Sequence, residues 1–370
     1  MSLRTSVQDT LKLTNSQRLM EATRRIQATL SGRIQAANEP ESPVSFKYSG
    51  KSARPLAQVV QALQKLKQSS FPFGKAGKVP SATEPEIAEG AKFHARSFSC
   101  KAGSRSYKLY IPNHKPDGQR PLLIMLHGCK QNPWDFAMGT RMNALAEIHG
   151  ILVAYPAQTQ SDNPSACWNW FNPIHQKHGK GEPAIIAGLT EEIIKSHDID
   201  KNKIFVAGLS AGGAMAAVMG ETYPQLFSAV GVHSGLPYRS ASDLVSAFAA
   251  MRGDAPHTNT APKLRTIVFH GDADRIVAPS NGANILREAD FSPLHSRVTK
   301  EYTKRVARDA RGLPLFEHWL LHGGGHAWSG GNSEGSYTDP SGPDASAEMI
   351  RFFLGYRHTQ SESSPGKFVA

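Results

Sequence analysis

Gly208-Leu209-Ser210-Ala211-Gly212 follows the apolar run Lys203–Ala207 and leads into a helical one, Ala211–Glu221. A serine held between glycines on a strand-to-helix turn is the setting that a nucleophilic hydroxyl needs. The turn is tight enough that side chains at its flanks would strike backbone. The helix that starts at Ala211 aims its N–H groups toward developing negative charge. A hydroxyl attacks only with a base to take its proton and an acid to orient that base. The run Leu264–Phe269 ends in His270-Gly271-Asp272-Ala273-Asp274-Arg275, which offers Asp272 and Asp274 as the acid, the other capping a turn or pairing with Arg275. The run through Leu320 ends in Gly323-Gly324-Gly325-His326, and a histidine on a glycine-rich loop reaches a site more freely than His322 at the strand's end. With fifteen histidines in the chain, no single one is informative. The order Ser210, Asp272 or Asp274, His326, each after its own strand, carries the reading.

The transition state of such a reaction carries an oxyanion that needs two N–H donors. One is the amide of Ala211, directly after the serine. The other comes from the loop after Leu122–Leu126, His127-Gly128-Cys129-Lys130-Gln131, with Cys129 as the candidate and His127 as a structural support of the loop. Trp168 and Trp170, on a loop after Ile151–Tyr155, and Trp328, just past His326, are candidate apolar walls for the substrate. Anchoring in the core is the alternative for each.

These residues need a scaffold that brings strand ends together. From about residue 94 the sequence alternates strand and helix: Ser106–Pro112, Leu122–Leu126, a helix over 137–149, Ile151–Tyr155, a helix over Ile185–Lys195, Lys203–Ala207, Ala211–Glu221, Phe227–Val232, Leu264–Phe269, Leu315–Leu320 and a closing helix over 345–356. Such order implies an α/β fold with a mostly parallel sheet wrapped by helices, and ligands at the carboxyl ends of its strands. Residues 1–91 differ. Two amphipathic stretches, around Ile26 and Val59, precede a Pro/Gly/Glu-rich linker over 71–91. The expected organisation is a basic helical extension over 1–91, a catalytic domain over 92–358 and a flexible tail over 359–370.

Composition narrows the classes. At 370 residues, 39% hydrophobic and 20% charged, the chain has enough material for a large core without a staple. Of the net +11, thirteen Lys/Arg against seven Asp/Glu fall in residues 1–90, scattered and without aromatic interleaving, so no nucleic-acid site is expected. No apolar run reaches the ~18 residues of a transmembrane helix, and no secretory leader is visible. Cys100, Cys129 and Cys167 are not spaced as zinc ligands, and the chemistry above needs neither metal nor cofactor. Cys129 and Cys167 sit on loops expected at the same sheet edge, where they form either a disulfide or two buried thiols, with Cys100 unpaired.

Leu126-His127-Gly128-Cys129, Cys167-Trp168-Asn169-Trp170-Phe171, Gly208 to Gly213, His270-Gly271-x-x-Asp274-x-x-Val277 and Gly325-His326-Ala327-Trp328 together resemble the polyhydroxybutyrate-depolymerase-like esterases, a group related to feruloyl and acetylxylan esterases. The likeness spans about residues 94–356. It implies an α/β-hydrolase fold, Asp274 rather than Asp272 as the acid, and an ester as substrate: a hydroxyalkanoate polymer or oligomer, or an aryl or acetyl ester of carbohydrate. It also implies an extracellular place of action, with the cytoplasm as the alternative given the absent leader. A serine peptidase shares the same chemistry. A non-catalytic protein that binds granules or surfaces through residues 1–90 is the reading of another class.

Overall fold

The computed structural model describes residues 85–254, 261–286 and 295–355. The amphipathic stretches around Ile26 and Val59, most of the linker and the expected tail lie outside them. The strands are β1 (Lys92–Cys100), β2 (Gly103–Ile111), β3 (Arg120–Leu126), β4 (Leu152–Pro156), β5 (Ile199–Leu209), β6 (Ala229–His233), β7 (Arg265–Gly271), β8 (His295–Val298), β9 (Tyr302–Arg308), β10 (Pro314–Leu321) and the short pair β11 (Trp328–Ser329) and β12 (Thr338–Asp339). The helices are α1 (Pro133–Thr140), α2 (Met142–His149), α3 (Gly181–Ser196), α4 (Ala211–Thr222), α5 (Leu244–Met251), α6 (Ser280–Ile285) and α7 (Ala345–Leu354).

Ten strands form one sheet in the order β1-β2-β4-β3-β5-β6-β7-β10-β9-β8. The six from β4 to β10 run parallel, and antiparallel strands close both flanks. β3 and β4 are continuous apolar runs because helices cover both faces there, leaving no side chain in water. Two apolar clusters follow from this. Leu122, Ile124, Val206 and Met215 belong to one, and Leu123, Met125, Phe205 and Phe353 to the other. Alternate residues of one strand therefore feed opposite cores.

The helix expected over 137–149 is two. Asn132 caps α1 through its Oδ1, which accepts from the amides of Trp134 and Asp135. Arg141 then adopts φ 54°, ends α1 and starts α2, which stops at Gly150 with φ 65°. Nothing in the types around Arg141 marks the break, since left-handed backbone there falls on a residue other than Gly or Asn. The outer strands β1, β8 and β9 are absent from the sequence reading; β1 and β8 are largely exposed, β9 is half-buried, and none has a clean apolar alternation.

Candidate active site

Four loops leave the carboxyl ends of β3, β5, β7 and β10 at one edge of the sheet, and each delivers one element of the site. Ser210 sits between β5 and α4 with φ 57° and ψ −119°, a backbone conformation that costs energy outside glycine and holds its side chain clear of the turn. The neighbours explain the glycines. A Cβ on Gly208 would press on Gly212 and on the Leu126 carbonyl oxygen, and one on Gly212 would strike Leu126 and His127 backbone. The elbow thus packs directly on the end of β3.

The Ser210 hydroxyl donates to Nε2 of His326 at 2.9 Å, and Nδ1–H of His326 donates to Oδ2 of Asp274 at 2.7 Å. The tautomer follows from the partners, because a carboxylate can only accept. Asp274 is buried, and its Oδ1 accepts from the amides of Ile276 and Val277, both at 2.9 Å. Burial alone would raise its pKa. Hydrogen bonds from His270 and His326, with the charge of His326, outweigh that and hold the carboxyl well below the usual range. Asp272 lies in the same loop with a different partner: its Oδ1 accepts from the Gly323 amide at 2.7 Å, tying the acid loop to the histidine loop. His322 turns away, with Nε2 paired to Thr303 Oγ1 at 3.0 Å.

Cys129 and Ala211 line a pocket together with Ser210, and neither residue's amide donates a hydrogen bond among the described residues. Both residues line one mostly apolar pocket with Ser210, Trp170, Phe171, Phe248, Met251 and Val277. Cys129 and Cys167 are joined in a disulfide that fastens the β3 loop to the pocket wall, and Cys100 is free and exposed. Peptide mapping without reductant is expected to find Cys129 linked to Cys167, with Cys100 as the single thiol of the three that alkylates.

Two of the three tryptophans do not face substrate, which corrects the expectation for them. Trp168 is fully buried, and its Nε1–H donates to the His127 carbonyl at 3.1 Å. Trp328 is buried against Phe136 and His233 and donates to Ser346 Oγ at 3.0 Å. Both satisfy their indole N–H in the core, where a ligand cannot reach them. Trp170 alone lines the pocket. Residues that the sequence reading passed over hold the loops. Glu182, buried at the start of α3, accepts from the Asn169 amide at 2.8 Å and from Gln158 Nε2 at 2.6 Å, fixing the loop that carries Cys167. Gln131 accepts from the Gly128 amide at 2.9 Å and donates to Asp135 at 2.9 Å. Glu182 reaches residues on another loop, and Gln131 also donates to the Ser336 carbonyl at 3.0 Å, so no local pattern announces these roles.

Two buried histidines act as neutral braces. His127 donates from Nδ1 to the Gly128 carbonyl at 2.8 Å and accepts at Nε2 from the Gln158 amide at 3.0 Å. His233 accepts at Nε2 from the Ser329 amide at 3.0 Å, while its carbonyl accepts from the Ser210 amide at 2.9 Å. That residue therefore links the serine elbow to the segment after His326. Burial, outweighing weaker favourable contacts, lowers His127 to about 4; burial and then the nearby His270 and His326 lower His233 to about 3. In the unfolded chain both rings titrate near 6.5. Acidification below 6.5 therefore protonates the unfolded chain first, and stability falls until the folded rings titrate as well. Urea denaturation is expected to show full stability above about pH 6.5 and a loss on the order of several kcal/mol between there and pH 4.

Among the described residues, no group of three or more His, Cys, Asp or Glu is arranged to hold a metal, and no helix is long and apolar enough to cross a membrane.

A parallel sheet with a serine elbow after β5, a carboxylate after β7 and a histidine after β10 defines an α/β-hydrolase. The acetyl xylan esterase of Aspergillus awamori shares that fold, with a TM-score of 0.55 over 67% of this chain and 93% of that one, at 21% identity. The family model described as Esterase PHB depolymerase matches residues 105–295, over half of the chain, and the chain belongs to that family. Poly(3-hydroxyalkanoate) depolymerase C of Paucimonas lemoignei is 30% identical over 250 residues, covering 62% of this chain and 60% of that protein. The probable acetylxylan esterase A of Aspergillus fumigatus is 28% identical over 218 residues, 53% of this chain and 57% of that one. Feruloyl esterase B of Neurospora crassa is 27% identical over 233 residues, 55% and 78% respectively. The chain thus spans about three fifths of the length of the first two relatives.

Proposed function

We propose that this chain is a serine carboxylic-ester hydrolase that works through an acyl-enzyme. The observation that carries the reading is the unbroken hydrogen-bond chain from Ser210 through His326 to Asp274. His326 takes the proton of Ser210 as its oxygen attacks the ester carbonyl. The amides of Ala211 and Cys129 hold the oxyanion. His326 then passes the proton to the departing alkoxide, leaving an ester on Ser210. Water, deprotonated by His326, attacks that ester, and the acid leaves as Ser210 regains its proton. Asp274 keeps the imidazole hydrogen on Nδ1 throughout and stabilises the imidazolium.

The apolar pocket suits an aliphatic acyl or alcohol group, and with the depolymerase relative it favours hydroxyalkanoate esters, polymer or oligomer, as substrate. Feruloyl or acetyl esters of carbohydrate are the second reading, supported by the other relatives. On this proposal residues 92–358 form the catalytic domain, and residues 1–91 are an extension that small esters do not require. A closed Cys129–Cys167 disulfide fits work in an oxidising compartment outside the cytoplasm. The deciding experiment compares p-nitrophenyl esters, 3-hydroxybutyrate oligomers, methyl ferulate, acetylated xylan and a peptide anilide on the wild type. Turnover of the oligomers well above methyl ferulate and acetylated xylan supports the first reading. The reverse ranking supports the second, and cleavage of the anilide alone refutes the esterase.

A further inference from the structure

We propose that His270, which the mechanism above does not use, is a positioning residue that holds the Asp274 carboxylate and the turn around it. The proposal rests on the roles assigned above to Asp274 and His326. His270 ends β7 and is fully buried. Its Nε2 lies 2.9 Å from the Val277 carbonyl oxygen and 3.4 Å from Oδ2 of Asp274. Both neighbours are acceptors, so the ring hydrogen sits on Nε2, shared between them. The same Val277 peptide donates its N–H to Oδ1 of Asp274 at 2.9 Å.

A closed circuit results: Asp274 holds the Val277 amide, the Val277 carbonyl holds His270, and His270 returns to the other oxygen of Asp274. Without His270 the carboxylate keeps its two backbone donors on Oδ1, but Oδ2 keeps only His326. The ring is also wedged in place. A Cβ on Gly282 of α6 would meet its Nδ1 at 2.8 Å, and Nδ1 itself has no hydrogen-bond partner among the described residues. A buried polar atom without a partner is costly, and the Nε2 contacts offset that cost. An aliphatic side chain of similar size would fill the space more favourably, so packing alone does not account for a histidine.

The consequence falls on the base. A carboxylate with one donor fewer carries its charge more fully toward His326 and holds the imidazolium more tightly. The titratable groups near His270 are Asp274 on its own loop, His326 beyond it, His233 on β6 and His318 on the neighbouring β10. Of these, only Asp274 makes a direct polar contact with the ring.

The test compares the wild type with His270→Leu and His270→Gln, the second because its amide restores an N–H donor near the Nε2 position. Two readouts are taken: the pH profile of kcat/KM on p-nitrophenyl butyrate, and an NMR titration of the His326 ring that needs no substrate. In His270→Leu the His326 titration and the acid limb of the profile are expected to rise by about half to one pH unit. On the plateau of the profile kcat is expected to fall roughly ten-fold or more with KM little changed, because a carboxylate released by His270 no longer keeps the His326 ring in line with Ser210. His270→Gln is expected to recover most of both. Unchanged His326 titration in His270→Leu overturns the proposal, as does an equal shift in both variants. If either variant fails to fold, the other decides: a Gln variant that titrates as the Leu variant should, or a Leu variant that titrates as the wild type, overturns it. A wild type inert toward every ester refutes the hydrolase reading alone, since the ring titration still reads His270.

Discussion

Ser210→Ala is expected to abolish ester turnover, lowering kcat by ~10⁵–10⁶-fold while leaving the fold in place. The size follows from the site. The oxyanion donors at Cys129 and Ala211 are backbone amides that survive the substitution, so the variant retains the part of catalysis owed to them and to binding. What disappears is the oxygen bonded to Nε2 of His326, and with it the covalent intermediate. Stability should change little, because Ser210 is held at φ 57° by glycines packed on β3, and alanine at that position carries the same backbone cost as serine. The lost hydrogen bond to His326 is worth about 1 kcal/mol. A thermal melt close to wild type, loss of p-nitrophenyl butyrate hydrolysis and loss of covalent labelling by an organophosphonate check the three parts. Retained turnover would move the nucleophile elsewhere. His326→Ala should fall nearly as far, whereas His322→Ala should not, since that ring is engaged with Thr303 away from the serine.

How much of this was legible in the sequence depends on whether a residue works through its own neighbours or through distant ones. Ser210 announces itself because the glycines its turn requires are adjacent in the chain, and His326 because its loop is nearly all glycine. The central parallel strands are equally plain, since burial on both faces leaves uninterrupted apolar runs such as Leu122–Leu126. The two aspartates were ambiguous on their own residues, since both follow β7; the family resemblance pointed to Asp274, and the fold gives the reason, with Asp274 facing the histidine and Asp272 accepting from Gly323. The tryptophans misled for a related reason. Trp168 and Trp170 differ by two positions in a loop without regular alternation, and one is plugged into the core while the other lines the pocket. Glu182 and His233 were illegible, because their worth lies in contacts that exist only once separate segments have met; His270 and Gln131 bond largely within their own loops, but only the folded turn brings those partners into reach. The exposed strands β1 and β8 and the half-buried β9 carry no clean apolar alternation to read.

Asp274→Asn is expected to lower kcat by about 10⁴-fold, the size known for the equivalent change in a serine protease, whereas Asp272→Asn should cost far less. The two substitutions are chemically identical and two residues apart, so the difference isolates partner geometry. At Asp272 the carboxylate accepts one backbone N–H, from Gly323, and an asparagine carbonyl oxygen can accept it as well. The loop contacts around it also persist, because the amides of Asp272 and Ala273 donate to Leu321 and Gly324 regardless of the side chain. At Asp274 the amides of Ile276 and Val277 will select the asparagine oxygen for the Oδ1 position, which puts the NH₂ group opposite His326. That group donates where a carboxylate accepted. Nδ1 of His326 must then become the acceptor, its hydrogen moves to Nε2, and the ring now points a donor at Ser210 instead of a base. The same NH₂ confronts the Nε2–H of His270, so the substitution also strains the circuit that holds the turn. Activity of Asp274→Asn should rise with pH if hydroxide-assisted attack bypasses the base, a slope that Asp272→Asn should not share. Measured kcat for both variants on p-nitrophenyl butyrate, with thermal melts to confirm folding, decides it: equal losses would mean that the acid role is shared or that either change collapses the loop.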